Sequence, residues 1–229
     1  MSELRHLAHR MAEAWKREGV LRFLYRGSAK ILKPLVHWRI AYIYAGDLTR
    51  PLPPVITQGE FEVRLYSGPE CLQDLLVHLP KMLKIRPETI EARLKRGDWV
   101  SIAYSGGEAV AFQWAATDPR AVAEMEPTLQ LGTNEMFQYN AYTLLEWRGR
   151  GIIRALSVAM LGYGQQRGCI RTLSSVQFEV APSHQASRRM GKERIQTVLT
   201  VQFRGMNSSW TRVFGSRRLA QHPSSVADP

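Results

Sequence analysis

The stretch FQYNAYTLLEWRGRGIIRALSVAMLG, residues 137–162, decides how the chain is read. Phe137 to Leu145 is rich in aromatic and β-branched residues and holds no Gly or Pro, the composition of a strand. Glu146–Gly151 then puts Gly149 and Gly151 where the backbone must turn sharply. From there Ile152, Ile153, Leu156, Ala159, Met160 and Tyr163 recur at helical spacing. A strand, a glycine turn and a helix in that order deliver unpaired N–H groups and the positive end of a helix dipole to one point, a seat for phosphate. Arg148, Arg150 and Arg154 add formal charge beside it. The same glycine pair also serves as a plain tight connection, and the residues alone leave both readings open. Two phosphate motifs are excluded. Ile152, Ile153 and Arg154 fall where a dinucleotide fingerprint needs its third glycine, and no GK[ST] follows for a Walker loop.

Outward from this unit the chain alternates strands and helices. Phe61–Tyr66 alternates as a strand should, while Pro69–Leu79 and Pro87–Arg96 begin with Pro and carry early Glu, as helices do. Trp99–Tyr104 and Ala109–Ala115 flank Ser105-Gly106-Gly107-Glu108, a hairpin signal. Residues 118–133 are predicted as a less regular, partly acidic connection, with Glu124 and Glu126 read as solvent charges rather than as the border of an entrance. A strand at about 170–179, a helix from Pro182 closed by Gly191, and a strand Arg194–Phe203 follow. This order predicts an α+β fold with a mixed α/β sheet. Gln138 and Asn140 alternate on one face of a strand that should be central. Buried amides without partners cost about 1–3 kcal/mol each. The pair therefore points either to a polar cavity or to an exposed edge.

Glu146-Trp147-Arg148-Gly149-Arg150-Gly151 resembles motif A of the GCN5-related N-acetyltransferases, Gln/Arg-x-x-Gly-x-Gly/Ala, with both glycines matched and Glu146 departing at the first position. Ile153 stands where many members carry a small residue. Downstream, Pro182-Ser183 and Arg188-Arg189-Met190-Gly191 are similar to the family's Asn-x-x-Ser…Lys-x-Gly-Phe segment, with Val180 at the Asn position and Lys192 in place of the Phe. The resemblance covers residues 59–204 and implies a single acyl-CoA N-acyltransferase domain. It implies acetyl-CoA or another acyl-CoA as co-substrate, held in the gap where the strand at 136–145 parts from the next. The backbone of Ala141, Tyr142 and Thr143 would pair with the pantetheine arm. The amides of Arg148, Gly149, Arg150, Gly151, Ile152 and Ile153 would hold the pyrophosphate, and Ser183 would contact the cofactor. A small-molecule amine would attack the thioester directly. Glu135 is the candidate base, and Tyr139 and Tyr142 are the candidate acids, because Ala186 and Ser187 occupy the region where many members carry the acid Tyr. The rival reading is a catalytically degenerate domain of the same fold that binds or scaffolds, favoured by Val180 and the missing helix Tyr.

Composition bounds the rest. The chain of 229 residues suits one well-buried domain plus an arm. Its net charge of +11 favours anionic partners. Residues 1–40 hold nine Lys and Arg against three Glu, a net six of the eleven. Apolar residues at three- and four-residue steps make residues 2–36 helix-like, followed by the strand His37–Tyr44 and a Pro-rich linker. The preferred reading packs this basic arm on its own domain or on a second subunit as a homodimer. The alternative lays it on an anionic membrane surface. Domain boundaries are placed at 1–54 for the arm and linker, 55–215 for the acyltransferase domain and 216–229 for a tail. No aromatic-interleaved basic motif supports a specific nucleic-acid partner. Cys71 and Cys169 are far apart and the six His are scattered, so neither a disulfide nor a metal site is expected. No segment reaches the roughly 18 uninterrupted apolar residues of a membrane span, and residues 1–20 lack a signal-peptide core. A cytoplasmic protein is expected, with the inner membrane face as a peripheral site.

Overall fold

A computed structural model describes residues 25, 27, 35–55, 57–83, 86–203 and 209–215. Strand β1 (Val36–Asp47) is followed by β2 (Glu62–Ser67), a 3-10 turn at Pro69–Cys71, α1 (Leu72–Leu83), α2 (Pro87–Lys95), β3 (Trp99–Ser105), β4 (Glu108–Ala116) and α3 (Pro119–Met125). Then come β5 (Glu135–Thr143), a 3-10 turn at Leu145–Trp147, α4 (Ile152–Gln166), β6 (Arg171–Gln177), α5 (Ala181–Arg189), β7 (Glu193–Phe203) and β8 (Ser209–Phe214). Among the described residues this is the mixed α/β class expected. The predicted helix over residues 2–36 lies outside the described residues apart from Tyr25, Gly27, Leu35 and Val36, the last of which opens β1 instead, and the predicted tail lies outside them too.

The chain divides into two units that are not continuous in sequence. The larger comprises Tyr44–Ser175 and Ala186–Glu193, and the smaller takes the described residues up to Ile43, Val176–Gln185 and those from Arg194 on. In the larger unit the strands run in the order β2-β3-β4-β5-β6. They are antiparallel as far as β5, and β5 pairs with β6 in parallel. The β3–β4 hairpin closes as foreseen through Gly106 (φ 56°) and Gly107 (φ 83°), two positive angles that a two-residue turn of primed type demands. Alternation sorts the β3 side chains between two cores. Val100, Ile102 and Tyr104 meet Leu75, Leu79, Ile90 and Leu94 of α1 and α2, while Trp99 and Ala103 face Ile152, Leu156, Met160 and Leu161 of α4. Both faces of β3 are covered, which explains its unbroken buried run.

Two expectations for this unit are corrected. Residues 118–133 are not wholly irregular. Asp118 Oδ1 accepts the Arg120 N–H at 2.9 Å and Pro119 takes the first turn, so α3 starts on an Asp-Pro cap. Glu126, read as a solvent charge, is buried, whereas Glu124 is exposed.

Helix α4 lies so close to β5 that Gly164 has no room for a side chain. A Cβ there would come within 2.5 Å of Sδ of the fully buried Met136. Gly164→Ala is expected to lower stability by about 1–3 kcal/mol despite alanine's better helix propensity, as measured by urea unfolding.

In the smaller unit β7 and β8 form an antiparallel hairpin, with Thr197 opposite Phe214 and Gln202 opposite Ser209. The sequence reading ended its strands at Phe203 and missed β8. The Tyr25 ring meets Trp38 and Phe178 edge-on, and its hydroxyl accepts the Ile40 N–H at 3.3 Å.

Candidate functional site

The larger unit contains a strand that loses its partner halfway. Strand β5 pairs with β6 through only four rungs, from Glu135↔Arg171 to Gln138↔Ser174. Beyond Gln138, the backbone of Tyr139–Thr143 on that side meets no strand among the described residues, and Asn140 and Ala141 are exposed although β5 is internal to the sheet. On its other side β5 stays paired with β4, but between Phe112↔Tyr142 and Trp114↔Tyr139 two residues, Asn140 and Ala141, oppose the single Gln113. This is a β-bulge, and Asn140 takes a left-handed φ of 49°, a conformation that asparagine accepts more readily than most residues. The bulge corrects the predicted alternation of Gln138 and Asn140. Gln138 is buried with its amide engaged, and Asn140 is turned out to solvent.

The glycine turn follows directly. Gly149 and Gly151 have φ of 81° and 80°, which L side chains rarely adopt, and Gly151 is the N-cap of α4. No side chain caps this helix, so its first-turn N–H groups lack the partner that Ser, Thr or Asp would supply. The turn is held from outside. Arg148 Nε donates to the Thr143 carbonyl at 3.1 Å, the Arg150 guanidinium lies 4.5 Å above the Trp147 ring, and the Gln58 N–H donates to the Arg150 carbonyl at 3.1 Å. Ile152 is buried against Ala103 and Ala111, with Ile153 half-buried beside it.

The predicted residues Ala141, Tyr142, Thr143 and Arg148–Ile153 thus lie along one continuous run, the free edge of β5 and the uncapped helix start. Tyr142 is half-buried and stacked on Phe112 at 6.0 Å, and Thr143 is buried with its hydroxyl unpartnered. Ser183 belongs to the smaller unit, in the first turn of α5. Glu135, the candidate base, is tied on both oxygens: Oε1 to Arg171 at 2.8 Å and Oε2 to the Gly132 N–H at 2.8 Å. The Tyr139 hydroxyl donates to Asp98 Oδ2 at 2.6 Å. Burial first, then the Asp98 charge, push its phenol well above the usual tyrosine range. Both groups have structural partners that a free base or acid would lack.

Two charged residues of this region escaped the sequence reading. Asp98 is fully buried and accepts from Arg96 Nη2 at 2.7 Å as well as from Tyr139, while the Arg93 guanidinium covers the Tyr139 and Trp114 rings at 5.1 Å each. Lys192, noted only as a departure from a family motif, has its amine in the interior, where it donates to Gln138 Oε1 and, at 3.2 Å, to Ser174 Oγ. Burial pushes that amine down to about 7. A separate groove of about 470 Å³ opens beside β2 between Gly59–Glu62 and the Ser105–Gly107 turn, and none of its walls comes from β5.

No family model matches the chain, and no curated protein matches it. Solved structures do. A GCN5-related N-acetyltransferase from Sphaerobacter thermophilus superposes with a TM-score of 0.56 at 15% identity over 77% of this chain and 56% of that one. A tandem GNAT protein from the clavulanic acid biosynthesis pathway gives 0.51 at 14% identity, over 74% of this chain and 55% of that one. A GNAT-family acetyltransferase from Colwellia psychrerythraea gives 0.50 at 12% identity, over 72% and 56%. The chain spans a little over half the length of each. At these identities the likeness is one of fold, and it agrees with the glycine motif at 146–151: the chain has the fold of the GCN5-related N-acetyltransferase superfamily.

Proposed function

We propose that the protein is an N-acyltransferase that moves an acetyl or other acyl group from acyl-CoA to the amine of a small molecule. One observation carries this reading: a strand edge left unpaired from Tyr139 to Thr143 runs straight into a glycine turn and an uncapped helix N-terminus. An extended amide-bearing chain ending in a pyrophosphate fits such a run, with Ala141–Thr143 as its hydrogen-bonding partners and the amides of Arg148–Ile153 as the anion seat. The bound thioester would supply an activated acyl carbon. The chain's own part is to align the acceptor amine, to exclude competing water and to offer N–H donors from β5 to the developing oxyanion. Tyr142, half-buried on the open part of β5, remains the candidate to protonate the leaving sulfur. Glu135 and Tyr139 are better read as framework.

Those two engaged side chains favour one alternative, a degenerate domain that binds acyl-CoA without turnover. A cytoplasmic site, with the basic residues 1–40 turned to an anionic membrane face or to a second subunit, belongs to the proposal as well.

Calorimetry of acetyl-CoA into the full-length protein tests the seat. Micromolar binding is expected, and Gly149→Glu/Gly151→Glu is expected to abolish it by placing two carboxylates in the anion site. Gly149→Asn, which tolerates a positive φ and adds no charge, should still bind. Failure of the folded wild-type protein to bind acetyl-CoA or longer acyl-CoAs would remove the enzyme reading and leave the fold alone.

A further inference from the structure

Lys192 follows Gly191, whose φ of 73° ends α5, and its N–H donates to the Ser187 carbonyl at 3.1 Å. The chain is thereby turned so that the lysine stem runs inward past β1. Gly46 makes the room: a Cβ there would meet Lys192 Cγ at 3.1 Å and Thr172 Cγ2 at 3.0 Å. At the end of the stem, the amine donates to Gln138 Oε1 and Ser174 Oγ. Those two residues face each other in the last β5–β6 rung. Lys192 is therefore fastened to the rung at which the strands part. The exposed Asn140 lies two residues on, roughly 7 Å along the strand.

The surroundings select the uncharged amine. From β5 it faces Gln138, from β6 Thr172 and Ser174, from β1 Gly46, and from α5 the Ser187 backbone; Met160 of α4 lies behind the Gln138 amide. The carboxylates on these elements and next to Lys192 are engaged elsewhere or turned out. Glu135 pairs with Arg171, Asp47 pairs with Arg50, and Glu193 is exposed. No carboxylate among the described residues pairs with Lys192. An ammonium has three protons to place, and two acceptors are present. A neutral amine places both of its protons and keeps a free lone pair. Burial, which pushes this amine down to about 7, acts in the same direction.

Resting on the acyl-CoA reading above, we propose that Lys192 is a self-acylation site, taking the acyl group when no acceptor amine occupies the opening along β5. The Nζ lone pair attacks the thioester carbonyl carbon, the C–N bond forms and the C–S bond breaks. The sulfur leaves with the proton that Nζ sheds, so the products are the free coenzyme thiol and an Nε-acyl-lysine. The new amide keeps one N–H for Gln138 or Ser174 and carries no charge into the interior.

The test is to incubate the full-length protein with deuterated acetyl-CoA at pH 6 and pH 8, and to map labelled lysines by peptide mass spectrometry. Coenzyme A binding is followed in parallel by calorimetry. Unassisted acetylation follows exposure, so Lys95, whose side chain is 65% exposed, should lead Lys192 if chemistry in solution is all that occurs. The expected result is the reverse order, with Lys192 labelled first by an order of magnitude and faster at pH 8. Gly149→Glu should restore the lead of Lys95. Coenzyme A binding with Lys192 unlabelled would overturn the proposal and leave the acyl-CoA reading standing, whereas absent binding together with absent label would overturn both. Equal labelling in Gly149→Glu would mark ordinary chemical reactivity and overturn it too.

Discussion

Replacement of Lys192 by methionine is expected to raise stability relative to the wild-type protein most strongly below pH 7, and the advantage should fade by pH 10.5. The folded amine titrates near 7 and the unfolded one at its ordinary 10.5. Below pH 7 both states are protonated, and the folded protein bears the full cost of a buried charge. Between the two values the unfolded chain holds a proton that the folded one has released, so wild-type stability climbs with pH. Above 10.5 neither state is charged and the cost is gone. At about 1.4 kcal/mol per pH unit the interval amounts to on the order of 5 kcal/mol. The variant also takes from Ser174 Oγ its lysine donor and from Gln138 Oε1 one of two donors, the Thr172 hydroxyl remaining at 3.4 Å, a loss of about 1–3 kcal/mol that does not vary with pH. The slope of the difference, taken from urea unfolding between pH 6 and 10, is thus the quantity to read. A flat difference would mean that the amine titrates as it does in water.

Asp98→Ala should be the most damaging single change near β5, costing about 3 kcal/mol. The side chain is fully buried and serves two donors at once, Arg96 and the Tyr139 hydroxyl. Arg96 is 28% exposed and can turn to water once its partner is gone, which holds the loss toward the lower end for a buried pair. The Tyr139 hydroxyl has no such exit. Tyr139→Phe should cost about 1.5–3 kcal/mol, the range for a hydrogen bond to a charged group. The two changes share one bond, so the double variant should lose clearly less than their sum. Additive losses from denaturant curves would show that Asp98 and Tyr139 act independently.

What the sequence makes legible is what neighbouring residues encode. The β5–turn–α4 run is written in a Gly-poor aromatic stretch, two glycines and a helical period, and the β3–β4 hairpin is written in Gly106-Gly107. Helix α3 has a legible start in Asp118-Pro119, but its seven residues are too few to show a helical period. Strand β8 was passed over because its residues are exposed on both faces, which removes the buried-exposed alternation that identifies a strand. Asp98 and Lys192 could not be found in this way. Tyr139 lies 41 residues from Asp98 and Gln138 lies 54 residues from Lys192, and no local pattern announces a contact of that span. The ion pair of Glu135 was hidden for the same reason, its partner Arg171 being supplied by the next strand.

The bulge at Asn140 and Ala141 has a consequence for how this chain tolerates insertion and deletion. Strand side chains alternate strictly, so one additional residue reverses the facing of everything after it. With two residues set against Gln113, Tyr142 arrives on the face where Phe112 can stack on it, and the chain leaves Thr143 in phase for the Leu144 N–H to reach the Val110 carbonyl. A lineage that lost one residue here would keep every motif letter of the glycine turn and still present that turn half a pleat out of step. The spacing between Gln138 and Gly149 is therefore part of the signature, as binding as the glycines themselves.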